Sequence, residues 1–260
     1  MVKQNLHIHS NYSFDSKMTL ETIAQILIAD GIYYGGIADH VDFKYDKDPQ
    51  EVIKNLKIRN KEIDRINNKY NGKIKLLKAV EIGSPHLYKK EVEMLNELDL
   101  DYIMGSIHDI DRNVTTSTAK RSKTYNYYEE MIEMVKANQI DVLGHIDYIN
   151  RYYGEDYSDA KQIAELFFYM KDNGIIPEIN TSAKRRLGKK QSTFPSITKL
   201  QRYSKMSDIN NKTIIGSDAH QEDELLDNLD DAIRIAGFYN LRPVIFEKRK
   251  VKEIKPPTYS

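Results

Sequence analysis

The 260-residue sequence contains no cysteine. A disulfide framework, thiolate metal sites and a cysteine nucleophile are thereby excluded, and any metal ligand must be nitrogen or oxygen. Charge of neither sign is in excess: 39 Lys plus Arg offset 39 Asp plus Glu. No global field therefore favours nucleic acid or a membrane surface, and a phosphate site has to be local. A run of about twenty apolar residues is also lacking, and the opening Met-Val-Lys-Gln-Asn-Leu has neither the basic nor the apolar block of a signal peptide. The expectation is a cytoplasmic protein without membrane or nucleic-acid partners. No low-complexity segment or interdomain linker interrupts the chain, so residues 1–260 are read as one domain, an ordinary size for an α/β barrel.

What the sequence does contain is an alternation of strand and helix patterns. Seven short apolar runs end at or near His9, His40, Gly83, His108, Asp147, Asn180 and His220. Helical patterns separate them. The first, 19–30, presents Leu20, Ile23, Ala24, Leu27 and Ile28 on one face, with Thr19 as N-cap and Gly31 as stop. The second opens at Pro49 and lays Val52, Leu56, Arg59, Ile63, Ile66 and Tyr70 in a narrow stripe. Others fall around 92–98, 127–138, 159–173 behind a cap at Ser158, 196–206 and 225–236. Strands separated by helices imply parallel pairing. A closed barrel related to the eightfold one fits best, with a doubly wound open sheet as the alternative. The Lys-rich tail 241–260 reads as a docked or partly mobile end.

Successive strand side chains point to opposite faces, so His7 and His9 share one side while Leu6 and Ile8 take the other. Asp218 and His220 share a face in the same way. His7, His9, His40, Glu81, His108, His145, Asp218 and His220 all fall at the C-terminal end of a strand pattern, where such folds place active sites. Six of the seven histidines belong to this set and only His86 is left over. Imidazoles and carboxylates without sulfur suit two or three divalent ions of zinc, iron or manganese rather than magnesium or calcium. Glu81 is the natural bridge, since a carboxylate gives one oxygen to each of two ions. Paired ions activate water and clamp the oxygens of an in-line phosphoryl displacement, so hydrolysis is the expected reaction class.

The segments His7-Ile8-His9-Ser10, Ala38-Asp39-His40, Glu81-Ile82-Gly83, Ser106-Ile107-His108, Gly144-His145-Ile146-Asp147, Glu178-Ile179-Asn180 and Ser217-Asp218-Ala219-His220, in this order, resemble the motifs of the PHP (polymerase and histidinol phosphatase) superfamily. The resemblance implies a distorted (β/α)7 barrel with a trinuclear metal centre. His7, His9, Glu81 and Asp218 would hold the first ion, and Glu81, His108 and His145 the second. The third would use His40, His220 and a residue of the loop after the first strand, where some members have a histidine and this sequence offers Asp15. Glu178 to Thr181 followed by Lys184-Arg185-Arg186, and Gly144 to Asp147 followed by Arg151, are similar to the histidinol-phosphate phosphatases within that family. The substrate so implied is a small phosphate monoester, L-histidinol phosphate. Arg151 and Arg185 are chosen for its phosphate, with Arg186 the competing choice, and Lys189 and Lys190 are read as a solvated loop. Asp42, Phe43, Asp109 and Tyr152 are candidates for its ammonium and imidazole groups. Glu81, Asp218 and His220 are the catalytic candidates, the last two as proton carriers. Other readings are a different PHP-type phosphoesterase, acting on phosphotyrosine or nucleic acid, and a metal-stabilised barrel that only binds a partner; balanced charge argues against the nuclease.

Overall fold

The structure, a computed structural model, describes residues 3–46, 48–188, 191–206 and 211–254. Lys189, Lys190 and the end of the tail from 255 lie outside the described residues. Nine strands and nine α-helices are named here: β1 Gln4–Ile8, α1 Leu20–Ala29, β2 Tyr34–Val41, α2 Pro49–Lys69, β3 Lys75–Gly83, α3 Lys89–Met94, β4 Tyr102–Ser106, α4 Ser117–Ala137, β5 Val142–Leu143, α5 Asn150–Tyr153, α6 Ala160–Asn173, β6 Ile176–Asn180, α7 Ser182–Leu187, α8 Ile197–Met206, β7 Lys212–Gly216, α9 Leu229–Phe238, β8 Arg242–Glu247 and β9 Lys250–Glu253. The sheet runs in chain order from β1 to β9. Every pairing from β1 to β8 is parallel, and only β8 with β9 is antiparallel.

Past its end β1 also meets the segment after β7: the Asp218 N–H donates to the His7 carbonyl at 2.9 Å and the His9 N–H to the Ala219 carbonyl at 3.0 Å. The sheet is apolar on both faces, as parallel sheets covered by helices are. One face, with Ile8, Ile37, Val80, Ile82, Ile103, Leu143, Ile179 and Ile215, packs on the helices. The other contributes Leu6, Ala38, Leu77, Ala79, Tyr102, Met104, Val142, Ile176, Ile214 and Val244, which pack against one another. Leu6 and Ile8, expected on one side, are split between the two layers because the pairing of β1 with β2 shifts register between Asn5 and Ile8.

Local chemistry sets the boundaries. The Thr19 hydroxyl accepts from the Thr22 N–H to start α1, and Gly31 ends it with a left-handed φ of +71°. Asp48 caps α2, whose buried stripe is Ile53, Leu56, Arg59, Asn60, Ile63 and Ile66. Four departures from expectation have physical causes. The cap of α6 is Asp159 rather than Ser158, because the Asp159 carboxylate accepts from the N–H groups of both Lys161 and Gln162. Helix α4 starts at Ser117, about ten residues early, because its first turns are polar and mostly exposed and carry no apolar period. Strand β5 is only two residues long, since beyond it the His145 N–H donates to the Glu178 carboxylate at 2.9 Å instead of to a ladder neighbour. The tail holds an eighth parallel strand: β8 pairs with β7 through Lys212 and Arg242, then turns at Lys248 and Arg249, both with positive φ, into β9.

Candidate metal centre

Six histidines converge at the C-terminal ends of the strands around two buried carboxylates. Glu81 at the end of β3 is fully buried and its two oxygens face different partners. Oε1 lies 2.8 Å from His145 Nε2 and 3.3 Å from His108 Nε2, and accepts from the Ser106 hydroxyl at 2.6 Å. Oε2 lies 3.0 Å from His40 Nδ1, 3.4 Å from His7 Nε2 and 3.6 Å from His9 Nε2. Asp218 Oδ1 is 3.4 Å from His9 Nε2 and 3.8 Å from both His7 Nε2 and His220 Nδ1. Asp15 Oδ2 sits between His220 Nε2 at 3.1 Å and His40 Nε2 at 3.5 Å. Three groups have ligand atoms close enough for one ion each: His9, His40 and His220; His7, His9 and Glu81; His40, Glu81 and His108.

The donor set fits divalent cations. Glu81 Oε2 and His145 Nδ1 are buried without a hydrogen-bond partner, and the Nε2 atoms of His7 and His9 face each other at 3.1 Å. An orphaned buried acceptor costs about 1–3 kcal/mol, and a shared positive charge removes that cost. Burial opposes the charge on Glu81, yet His7 and His108 hold its carboxyl well below the ordinary range. Asp218 behaves likewise, with His9 and His7 outweighing burial. Burial, reinforced by His40, holds the His9 imidazole well below its usual pKa. Ionised carboxylates around a neutral imidazole are the forms that ligate. Backbone strain marks the spot, for Asp218 adopts a left-handed φ of 54°.

A layer of second partners aims the ligands. Glu178 on β6 lies 2.8 Å from His7 Nδ1, and its other oxygen accepts from the N–H of His145. Asp39 on β2 accepts from the hydroxyls of Ser10 and Ser13 while pairing with the fully buried Arg59 guanidinium at 3.2 Å, and Ser13 Oγ is 3.3 Å from His9 Nδ1. Ser10, Asp39 and Glu178 lie in the motif segments but were given no role from sequence, and Ser13 and Arg59 lie outside them; for Arg59 the signal was its place in an otherwise apolar helical stripe.

The PHP domain family model matches residues 5–182. The chain belongs to the PHP domain family. A protein of Clostridium acetobutylicum named "probable histidinol-phosphatase" is 32% identical over 266 residues, covering 95% of this chain and 97% of the relative. One of Thermotoga maritima with the same name is 24% identical, over 96% of this chain and 98% of the relative. The crystal structure of histidinol phosphate phosphatase from Lactococcus lactis, in complex with zinc, L-histidinol and phosphate, shares the fold, with TM-score 0.79, 18% identity and coverage of 96% and 99% of the two chains.

In this PHP domain the centre opens into a cavity of about 1060 Å³. Arg151, Tyr152, Asp42 and Asp109 line it, as does Arg186. Two expected residues do not. Arg185 directs Nη1 to Asp227 at 2.9 Å, Nε to Glu224 at 3.1 Å and Nη2 to the carbonyls of Ser217 and Asp218, so its donors are spent holding the loop after β7. Arg186 replaces it at the cavity, with one contact to Asp218 Oδ2 at 3.3 Å and a buried Nε that has no partner. Phe43 is buried in the core near Tyr88, because its side chain turns to the helix-packed layer. Phe14, which the sequence reading passed over, lines the cavity instead: it is 86% exposed and stacks on the His40 ring. Asp109 is tied to Lys44 at 2.6 Å, and Arg151 donates to the Tyr148 hydroxyl at 2.6 Å. Among the described residues no helix is long and apolar enough to cross a membrane.

Proposed function

We propose that this protein is a metal-dependent phosphomonoesterase that hydrolyses L-histidinol phosphate to L-histidinol and phosphate, a step of histidine biosynthesis. The observation that carries the reading is the convergence of six imidazoles on Glu81 and Asp218 at the floor of a cavity whose wall bears Arg151 and Arg186. The relatives' shared name gives the substrate. The ligand groups are His7, His9, Glu81 and Asp218; Glu81, His108 and His145; and His40, His220 and Asp15. His9 borders the first and the third. Bound zinc, iron or manganese ions supply a water of lowered pKa and positive charge against the phosphoryl oxygens.

The protein's own groups do the rest. Arg186 and Arg151 hold the phosphate dianion, guanidinium forks being well matched to its oxygens. The unpartnered Arg186 Nε supports this role. Asp218 and His220 are the proton carriers toward the leaving alkoxide, each in the state in which it is not fully committed to an ion. Asp42, half-buried at the end of β2, takes the substrate ammonium, and Tyr152 walls the organic half. The direct β1 to β7 contact and the self-packed inner face support a distorted (β/α)7 barrel, in one domain, with β8 and β9 appended. The relatives' name, histidinol-phosphatase, supports a cytoplasmic enzyme acting on a small molecule, and the balance of 39 Lys plus Arg against 39 Asp plus Glu supports the reading without a nucleic-acid partner.

The test is to measure bound metals and then phosphate release from histidinol phosphate, a phosphotyrosine peptide and a nucleotide side by side. Turnover concentrated on the first is expected. Equal turnover on all three, or none, would sink the assignment.

A further inference from the structure

The cavity has a second polar wall beyond the metal centre. Ser84 follows β3 in a left-handed conformation, φ 45° and ψ 53°, which a non-glycine residue adopts only where its surroundings hold it. Its N–H donates to the Ser106 carbonyl at 2.8 Å and its hydroxyl to Glu130 Oε1 on α4 at 2.7 Å. His86 lines the cavity beside them, and its Nδ1 is buried without a hydrogen-bond partner. Burial holds that imidazole below its usual pKa, so it stays neutral. Of the cavity's outer carboxylates, Asp109 is paired with Lys44 and Glu224 with Arg185, while Glu130 has no cationic partner among the described residues. One Glu130 oxygen is thus held and the other offered, next to the His86 ring, whose Nδ1 is enclosed in protein and leaves Nε2 as the nitrogen a ligand can meet. Such a pair matches a flat group with one donor and one acceptor.

Position decides which part of a substrate meets it. Ser84 lies three residues beyond Glu81, roughly 10 Å at the rise of a strand. Asp42 lies between, its carboxyl packed so closely on Gly83 that an added Cβ would stand 3.2 Å away. Phosphate at the metals, ammonium at Asp42 and a ring at this wall is the order of groups along an aminoalcohol phosphate bearing a heterocycle. We infer that Ser84, His86 and Glu130 form a recognition subsite for the imidazole ring of the substrate, with Glu130 Oε2 accepting the ring N–H and His86 meeting the second ring nitrogen. The inference rests on the proposed substrate and assigns residues to its far end.

The experiment compares histidinol phosphate with 2-aminopropyl phosphate, which keeps the phosphate and the ammonium and lacks the ring. In Glu130→Gln the ratio of kcat/KM for the two should fall about tenfold through KM, the loss of one hydrogen bond to a charged acceptor. His86→Ala should lower the same ratio, and calorimetry should find L-histidinol bound more weakly by both variants. A wild-type enzyme that prefers histidinol phosphate, with variants that keep the full ratio, overturns the subsite alone. A wild-type enzyme that hydrolyses neither ester removes the substrate assignment and the subsite with it.

Discussion

Single side chains in this centre differ in what their removal does. Glu178 touches no substrate, yet it fixes the ring of His7 and the backbone of His145 together. Glu178→Gln keeps the shape and removes the charge, so metal affinity or turnover should fall about 10–100-fold, as for other outer partners of ligating histidines; metal titration beside steady-state kinetics checks it, and wild-type values in both would refute the role. The two neighbouring arginines separate more sharply. Arg186→Ala should weaken phosphate ester turnover about 10–100-fold, the worth of a lost charge-assisted contact. Arg185→Ala should act on stability instead, by releasing Asp227, Glu224 and two carbonyls. Kinetics and urea unfolding on both variants test the split, and equal kinetic losses would contradict it. Sequence alone could not rank these two: adjacent residues of one basic run look alike, and only the short helix α7 turns one into the cavity and the other into the loop after β7.

At the scale of elements, legibility followed the strength of the periodic signal. The parallel strands and the helices between them were readable because each carries an apolar period that the fold has to bury. The polar first turns of α4 and the polar β9 were not, since their residues are specified by solvent and by pairing partners, while β8 carries a buried run, Val244-Ile245-Phe246, that is too short to stand out within a Lys-rich tail. Helix α2 joins the two cases. Its apolar stripe was plain, but Arg59 within it made sense only once β2 brought Asp39 against it, 3.2 Å away, with both groups buried. Breaking such a pair from one side leaves an uncompensated charge and costs about 3–5 kcal/mol. Arg59→Met should therefore destabilise by that amount, and Asp39→Asn placed on top of it should recover part of the loss. Denaturant midpoints for the single and double variants provide the measurement; strictly additive losses would show that the pair does not act as a unit.

For the molecule as a whole, two conditions should shift stability by different routes. Lys199 on α8 is buried between Asp147 at 2.8 Å and Asp156 at 2.5 Å. Burial opposes its charge, but the two carboxylates raise its pKa, so its contribution is present below the unfolded value near 10.5 and fades as pH rises through the folded one. Burial of Asp156 acts the other way from Lys199, which wins and lowers the Asp156 pKa, so that share is present above about pH 4 and is lost as pH falls through the folded value. Asp156→Asn should abolish the second dependence and leave a flatter acid limb in unfolding titrations; an unchanged limb would refute it.

Metal removal acts on several strand ends at once. His7, His40, Glu81, His108 and His145 come from five different βα units and Asp218 and His220 from a sixth, so ions held among them would tie together β1, β2, β3, β4, β5 and β7. Ions that bind only the folded chain stabilise it by mass action, about 4 kcal/mol when free metal is a thousand times the dissociation constant. For a chain of this size that corresponds to roughly 10 °C in the unfolding midpoint. Chelation should lower the midpoint by that order, and zinc added back should restore both the midpoint and phosphate release. The metal-free protein should stay folded at 25 °C, because the two apolar layers of the sheet do not depend on the ions. Calorimetric scans with chelator, and then with zinc restored, decide the matter: a midpoint indifferent to metal would mean that the strand ends are held by their own hydrogen bonds and that the centre serves chemistry alone.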